Sequence, residues 1–85
     1  MISDEILKKY DMKSLEEYEK DYGNSLDTEI GFYQTFLMQT DYIDNKLNEE
    51  YILGASKSAL KEKYGEILEL RKFAREQINR LESEL

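Results

Sequence analysis

The chain contains no cysteine and no histidine. The first absence excludes a disulfide framework, a thiolate nucleophile and a zinc–thiolate site. The second removes the commonest general base and the commonest metal ligand. Proline, tryptophan and valine are also missing, and only four glycines interrupt 85 residues. With few β-branched residues and little turn punctuation, there is not much from which to build strands. No apolar run approaches the roughly 20 residues of a membrane span, and no signal peptide is expected ahead of the first charged residues. The length allows one small core, so a single helical domain is expected over residues 1–85.

What is present is charge and helix-forming residues. Charged side chains make up 36% of the chain, 19 acidic against 12 basic, for a net charge of −7. A footprint that tracks phosphates is basic, so direct nucleic-acid binding is not expected. The imbalance is local: residues 1–53 carry 13 acids and 5 bases, whereas residues 54–85 carry 6 acids and 7 bases. No base occurs between Lys20 and Lys46, and Asp21, Asp27 and Glu29 in that stretch form a candidate acidic interaction surface. Such a surface either imitates a nucleic-acid backbone toward a basic groove or simply solvates exposed helix faces.

Leu, Glu and Lys dominate, and the apolar residues recur at helical spacing, so the fold class is all-α. Ser3 can cap a short first helix, and Ser14 with Glu17 reads as a capping box opening a second. Gly23 suits the end of that helix, and Asn24 or Ser25 can cap the next. From Leu26 a seam runs through Ile30, Tyr33, Leu37, Thr40, Asp44, Leu47 and Tyr51 in alternating steps of four and three. After Gly54, with Ser56 or Ser58 as cap, a second seam runs through Leu60, Tyr64, Ile67, Arg71, Ala74, Ile78, Leu81 and Leu85. The spacing predicts two long helices near 26–52 and 57–84 that form an antiparallel hairpin over 24–85. One or two short N-terminal helices within 1–23 pack on it. The expected core sets Ile30, Tyr33, Phe36, Leu37, Ile43 and Leu47 against Leu60, Tyr64, Ile67, Ala74, Ile78 and Leu81, with Leu15 and Tyr18 docking a short helix. The segment to about Asp11 has few apolar residues to hold it. Gly65 inside the last helix implies close packing or a bend.

Arg71 stands where its seam calls for an apolar residue. Reflecting the hairpin about residues 55–56 brings Asp41 nearly level with it, and Asp44 lies one turn on. These three residues form either a structural ion pair or a contact for a partner's charged group. Asp41-x-x-Asp44 and Glu66-x-x-Glu69 loosely resemble the paired acidic motifs of all-α nucleotide pyrophosphohydrolases, which hold Mg²⁺. Lys46, Lys63 and Arg71 would compete for those carboxylates, so no metal, cofactor or catalytic residue is assigned.

The stretch Phe36-Leu37-x-x-Thr40-Asp41-Tyr42-x-x-x-Lys46, followed by Arg71-x-x-Ala74-Arg75-x-x-Ile78-Asn79-x-Leu81-Glu82, resembles a pattern in small proteins from the tail-gene regions of phages and prophages. It covers roughly residues 33–82, and Ile43-Asp44-Asn45 is more polar than the pattern at that point. The resemblance implies a non-enzymatic phage- or prophage-type protein acting in tail structure or assembly through protein partners or as a homo-oligomer. Its location would be the cytoplasm of a bacterial host or the virion. It also implies that Thr40 caps a helix start, breaking the long helix at Thr40-Asp41. An acidic inhibitor of a host defence or DNA-binding protein is the alternative, and a Mg²⁺-dependent all-α nucleotide pyrophosphohydrolase the second alternative.

Overall fold

The computed structural model describes residues 1–85; it is helical throughout and contains no strand. Five helices follow in order: α1 (Asp4–Lys9), α2 (Leu15–Tyr22), α3 (Leu26–Thr40), α4 (Tyr42–Ile52) and α5 (Lys57–Glu82). Four of them start on a serine in extended backbone. Ser3, Ser14, Ser25 and Ser56 each accept a hydrogen bond from the amide three residues on, at 3.2–3.3 Å. Each cap satisfies an amide that has no partner inside its own helix. Gly23 and Gly54, at φ 95° and 103°, let the chain turn after α2 and α4.

The seam from Leu26 to Tyr51 is not one helix. It breaks at Asp41, and the cause lies outside the segment. In an unbroken helix the Leu37 carbonyl would accept the Asp41 amide; here it accepts Arg71 Nη1 at 2.8 Å, and the Asp41 amide reaches only the Met38 carbonyl at 3.5 Å. A side chain inserted into the backbone ladder is a recognised source of a helix kink. Thr40 adds to it by donating its hydroxyl back to the Phe36 carbonyl at 2.7 Å. The expectation that Thr40 caps the following helix is therefore corrected. Asp41 holds the cap position of α4 and makes no side-chain cap bond.

α3 and α4 both pack on α5, in antiparallel order. The Tyr33 ring lies 6.0 Å from that of Phe73, Leu37 meets Arg71, and Glu50 meets Lys63. Phe36, Ala74 and Leu81 are almost completely enclosed, with Ile30, Tyr33, Ile43, Leu60, Tyr64 and Ile67 around them. Leu37, Leu47 and Ile78 are only half-buried, as are Leu15 and Tyr18. Phe32 lies off the α3 seam yet is buried, because Tyr18 of α2 closes over it edge-on at 5.6 Å. The aromatic rings form a chain from α2 to α5: Tyr22, Tyr18, Phe32, Tyr33 and Phe73, each 5.1–6.0 Å from the next. Tilted and edge-on pairs of this kind add about 0.5–1.5 kcal/mol each beyond their burial.

Three further expectations are corrected. The first twelve residues are not short of anchors, because Ile2, Leu7 and Met12 are all buried. Gly65 neither bends α5 nor admits a close neighbour; a Cβ there would meet only the Lys61 Cγ, at 3.7 Å. Tyr51 and Leu85, placed on the two seams, are exposed.

Candidate functional site: a buried clamp and an exposed tip

Arg71 is 6% exposed and surrounded by acceptors. One guanidinium nitrogen donates to the Leu37 carbonyl at 2.8 Å and to the Thr40 hydroxyl at 2.6 Å. The other lies 2.9 Å from Asp41 Oδ1 and 3.6 Å from Asp44 Oδ2. Both carboxylates keep more than half of their side-chain surface in water, so the ion pairs sit at a boundary, with the cation inside and the anions outside. That geometry spares the aspartates desolvation while satisfying the arginine. No buried side-chain nitrogen or oxygen in the molecule lacks a partner. The buried guanidinium thus finds its acceptors within the chain, while Asp41 and Asp44 each present the rest of the carboxylate to solvent.

The other acidic positions do not gather with them. Asp21 is held by Lys13 at 3.0 Å. Asp27 lines a shallow groove with Tyr18, Tyr22 and Gly31. Glu29 is half-buried, and its charge adds to the effect of burial in pushing the Tyr33 phenol up. Glu66 faces a cavity of about 310 Å³ between α1, α4 and α5, together with Glu62, Lys9, Tyr10, Tyr42 and Lys46. Burial, then Tyr42 and Glu66, raises the Tyr10 phenol there. Asp41, Asp44, Glu66 and Glu69 do not converge; no three carboxylates in the molecule form a group able to hold a metal ion. The geometry required by the Mg²⁺ reading is therefore not assembled.

At the far end of α4 the balance of surface is reversed. Tyr51, Ile52 and Leu53 are 55%, 81% and 79% exposed. Three consecutive large apolar side chains in solvent stand out in a chain this polar. Glu50 accepts from Lys63 Nζ at 2.6 Å and from the Tyr64 hydroxyl, tying the last turn of α4 to α5. These hydrogen bonds, to Lys63 first, hold the Glu50 carboxyl below its ordinary value, and the Lys63 ammonium and Tyr64 phenol are raised in return, chiefly by Glu50. Beside the tip runs an apolar groove lined by Leu47, Tyr51, Leu60 and Leu68, with Lys57 and Lys61 at its rim. The tip escaped sequence reasoning because Tyr51, Ile52 and Leu53 continue the apolar pattern of the helix before them. The signal that could have found it is position: they occupy the last turn before a connection, where no facing helix remains to cover them.

No helix is long and apolar enough to cross a membrane. No protein family, curated protein or solved structure matches the chain.

Proposed function

We propose that the protein is a non-enzymatic helical interaction protein of phage or prophage type, a tail-region structural or assembly component that binds a protein partner through its α4–α5 tip. In this reading the antiparallel hairpin is the rigid body, α1 and α2 are folded against it, and Tyr51-Ile52-Leu53 is the working end. The exposed tip carries the proposal, since apolar side chains clustered in solvent are the surface signature of a protein contact. The tail-region resemblance adds weaker support. Leu37, Thr40, Asp41 and Arg71, which carry much of it, are the residues of the clamp, so it speaks to shared architecture more than to a shared partner.

The test is affinity capture from infected or lysogenic bacterial cells with the parent chain and with Ile52→Ser/Leu53→Ser. The expected result is a virion or tail-assembly protein held by the parent and lost by the variant. Equal capture by both would remove the tip from the mechanism. Capture of a nuclease or DNA-binding protein would favour the acidic-inhibitor reading.

A further inference from the structure

Four of the twelve basic residues, Lys13, Lys63, Arg71 and Arg80, are engaged in ion pairs. Of the eight others, four fall on one stripe of α5: Lys57, Lys61, Lys72 and Arg75. With Leu68 among them, their steps of four, seven, four and three place them on one helix face. The first two stand on the rim of the apolar groove beside the tip. Lys57 and Lys61 flank the apolar groove, and Lys72 and Arg75 continue their helix face beyond it; in a chain of net charge −7 such a run of unpaired cations is not explained by solvation alone.

We infer that this groove receives an acidic amphipathic helix of a partner protein, its apolar ridge seated on Leu47, Leu60 and Leu68 and its carboxylates facing Lys57, Lys61, Lys72 and Arg75. This rests on the tip reading and names the partner's chemistry. The stripe runs from Lys57 to Arg75, 18 residue steps along α5 and about 27 Å at the helical rise, which matches about five turns of a partner helix. Helix-in-groove recognition takes anchors at i, i+3 or i+4 and i+7, and the groove floor offers leucines for them. A nucleic-acid strand would satisfy the cations and leave the apolar floor unfilled. A second copy has acidic helices, but its only consecutive exposed large apolar side chains are Tyr51-Ile52-Leu53, less than one helical turn against a stripe of about 27 Å.

The probe is a synthetic helix of about 18 residues with leucine on one face and glutamate on both flanks, titrated into the isotope-labelled full chain and followed by amide chemical shifts. A lysine-flanked counterpart and a single-stranded DNA oligonucleotide serve as comparisons. The glutamate helix is expected to shift the amides around Leu47, Lys57–Lys61 and Leu68, with affinity falling as salt is added. Lys57→Glu/Lys61→Glu is expected to weaken binding about tenfold or more. Position 57 opens α5, where an acid is favourable, so this variant keeps its fold. Lys8→Glu/Lys9→Glu makes the same change in net charge elsewhere and is expected to bind like the parent. The inference is overturned by absence of shifts at the groove, by equal binding of the lysine helix, or by stronger shifts from the oligonucleotide. It is equally overturned by matching losses in the two double variants, or by groove shifts that appear on concentrating the chain alone, which would identify a second copy. Failure of the probe with capture still lost in Ile52→Ser/Leu53→Ser would leave the tip standing and refute only the acidic helix.

Discussion

The Arg71 clamp and the α4–α5 tip each break the rule that charge faces water and apolar surface faces inward, and they break it in opposite senses. At the clamp a guanidinium is buried, and every acceptor it needs comes from its own chain. At the tip, Ile52 and Leu53 lie in solvent and nothing in the chain covers them. The difference separates two uses of an exception. One that is satisfied internally serves the fold; one left unsatisfied is available to another molecule. The clamp's two aspartates stand at the start of α4 and the tip at its end, so a single short helix is fixed by charge at one end and offers apolar surface at the other.

The comparison is broken most severely by stripping the clamp of its anions. Asp41→Asn/Asp44→Asn leaves a buried cation without a counter-charge, and urea unfolding is expected to show a loss of about 2–3 kcal/mol, less than for a fully buried pair because both carboxylates are largely in water. A loss near zero would mean that Arg71 is held by the Leu37 carbonyl and Thr40 alone. Arg71→Leu is expected to cost less, about 1–2 kcal/mol, because the aspartates are left in water and the Leu37 carbonyl can regain the Asp41 amide. If it proves costlier than the double aspartate change, the order of the argument is inverted.

Smaller effects belong to the tip. Glu50→Gln weakens the tie to Lys63 and Tyr64, and its effect should depend on pH. A lowered carboxyl stabilises the fold above its unfolded value, near 4.5, and loses that contribution as pH falls through the folded value. The raised Tyr64 and Lys63 groups contribute below 10.0 and 10.5 and lose their share as pH rises through their folded values. The gap in urea midpoint between parent and variant should therefore be open from about pH 5 to 9 and close on either side. A gap independent of pH would show that packing, not charge, is being measured. Smallest of all, Ile52→Ser/Leu53→Ser should shift stability by no more than about 0.5 kcal/mol, since neither side chain is buried. A larger loss would make the tip part of the core and erase its contrast with the clamp.

Much of this arrangement can be traced to the sequence, and what cannot has physical reasons. Capping serines and seam spacing locate α2 and α5 closely, because both signals are local. Two seams reflected about the connection set Asp41 level with Arg71, and the two side chains meet at 2.9 Å. The break at Asp41 leaves no mark in the seam, which continues in steps of four and three across it; only the Thr40-Asp41 motif pointed to it, and that is where α3 ends. Burial of Ile2, Leu7 and Met12 depends on where a six-residue helix docks, which a periodicity that short cannot specify. Phe32, which with Phe36 and Ile43 widens the apolar stripe at helical spacing, is buried as that width implies, but its cover, Tyr18 from another helix, cannot be read from the spacing.

The break at Asp41 also bears on the order of events along a growing chain. Its cause, Arg71, is 34 residues beyond Leu37, the carbonyl that it takes over. A nascent segment that ends before α5 keeps only the weaker bending influence of Thr40, whose hydroxyl bonds back to the Phe36 carbonyl, and lacks the guanidinium that takes over the Leu37 carbonyl. The bend arrives only when α5 docks, and with it the direction in which Tyr51, Ile52 and Leu53 point. Until then the exposed end of α4 has no fixed aim, so the placing of Tyr51, Ile52 and Leu53 is a late property of folding, acquired after the helices themselves.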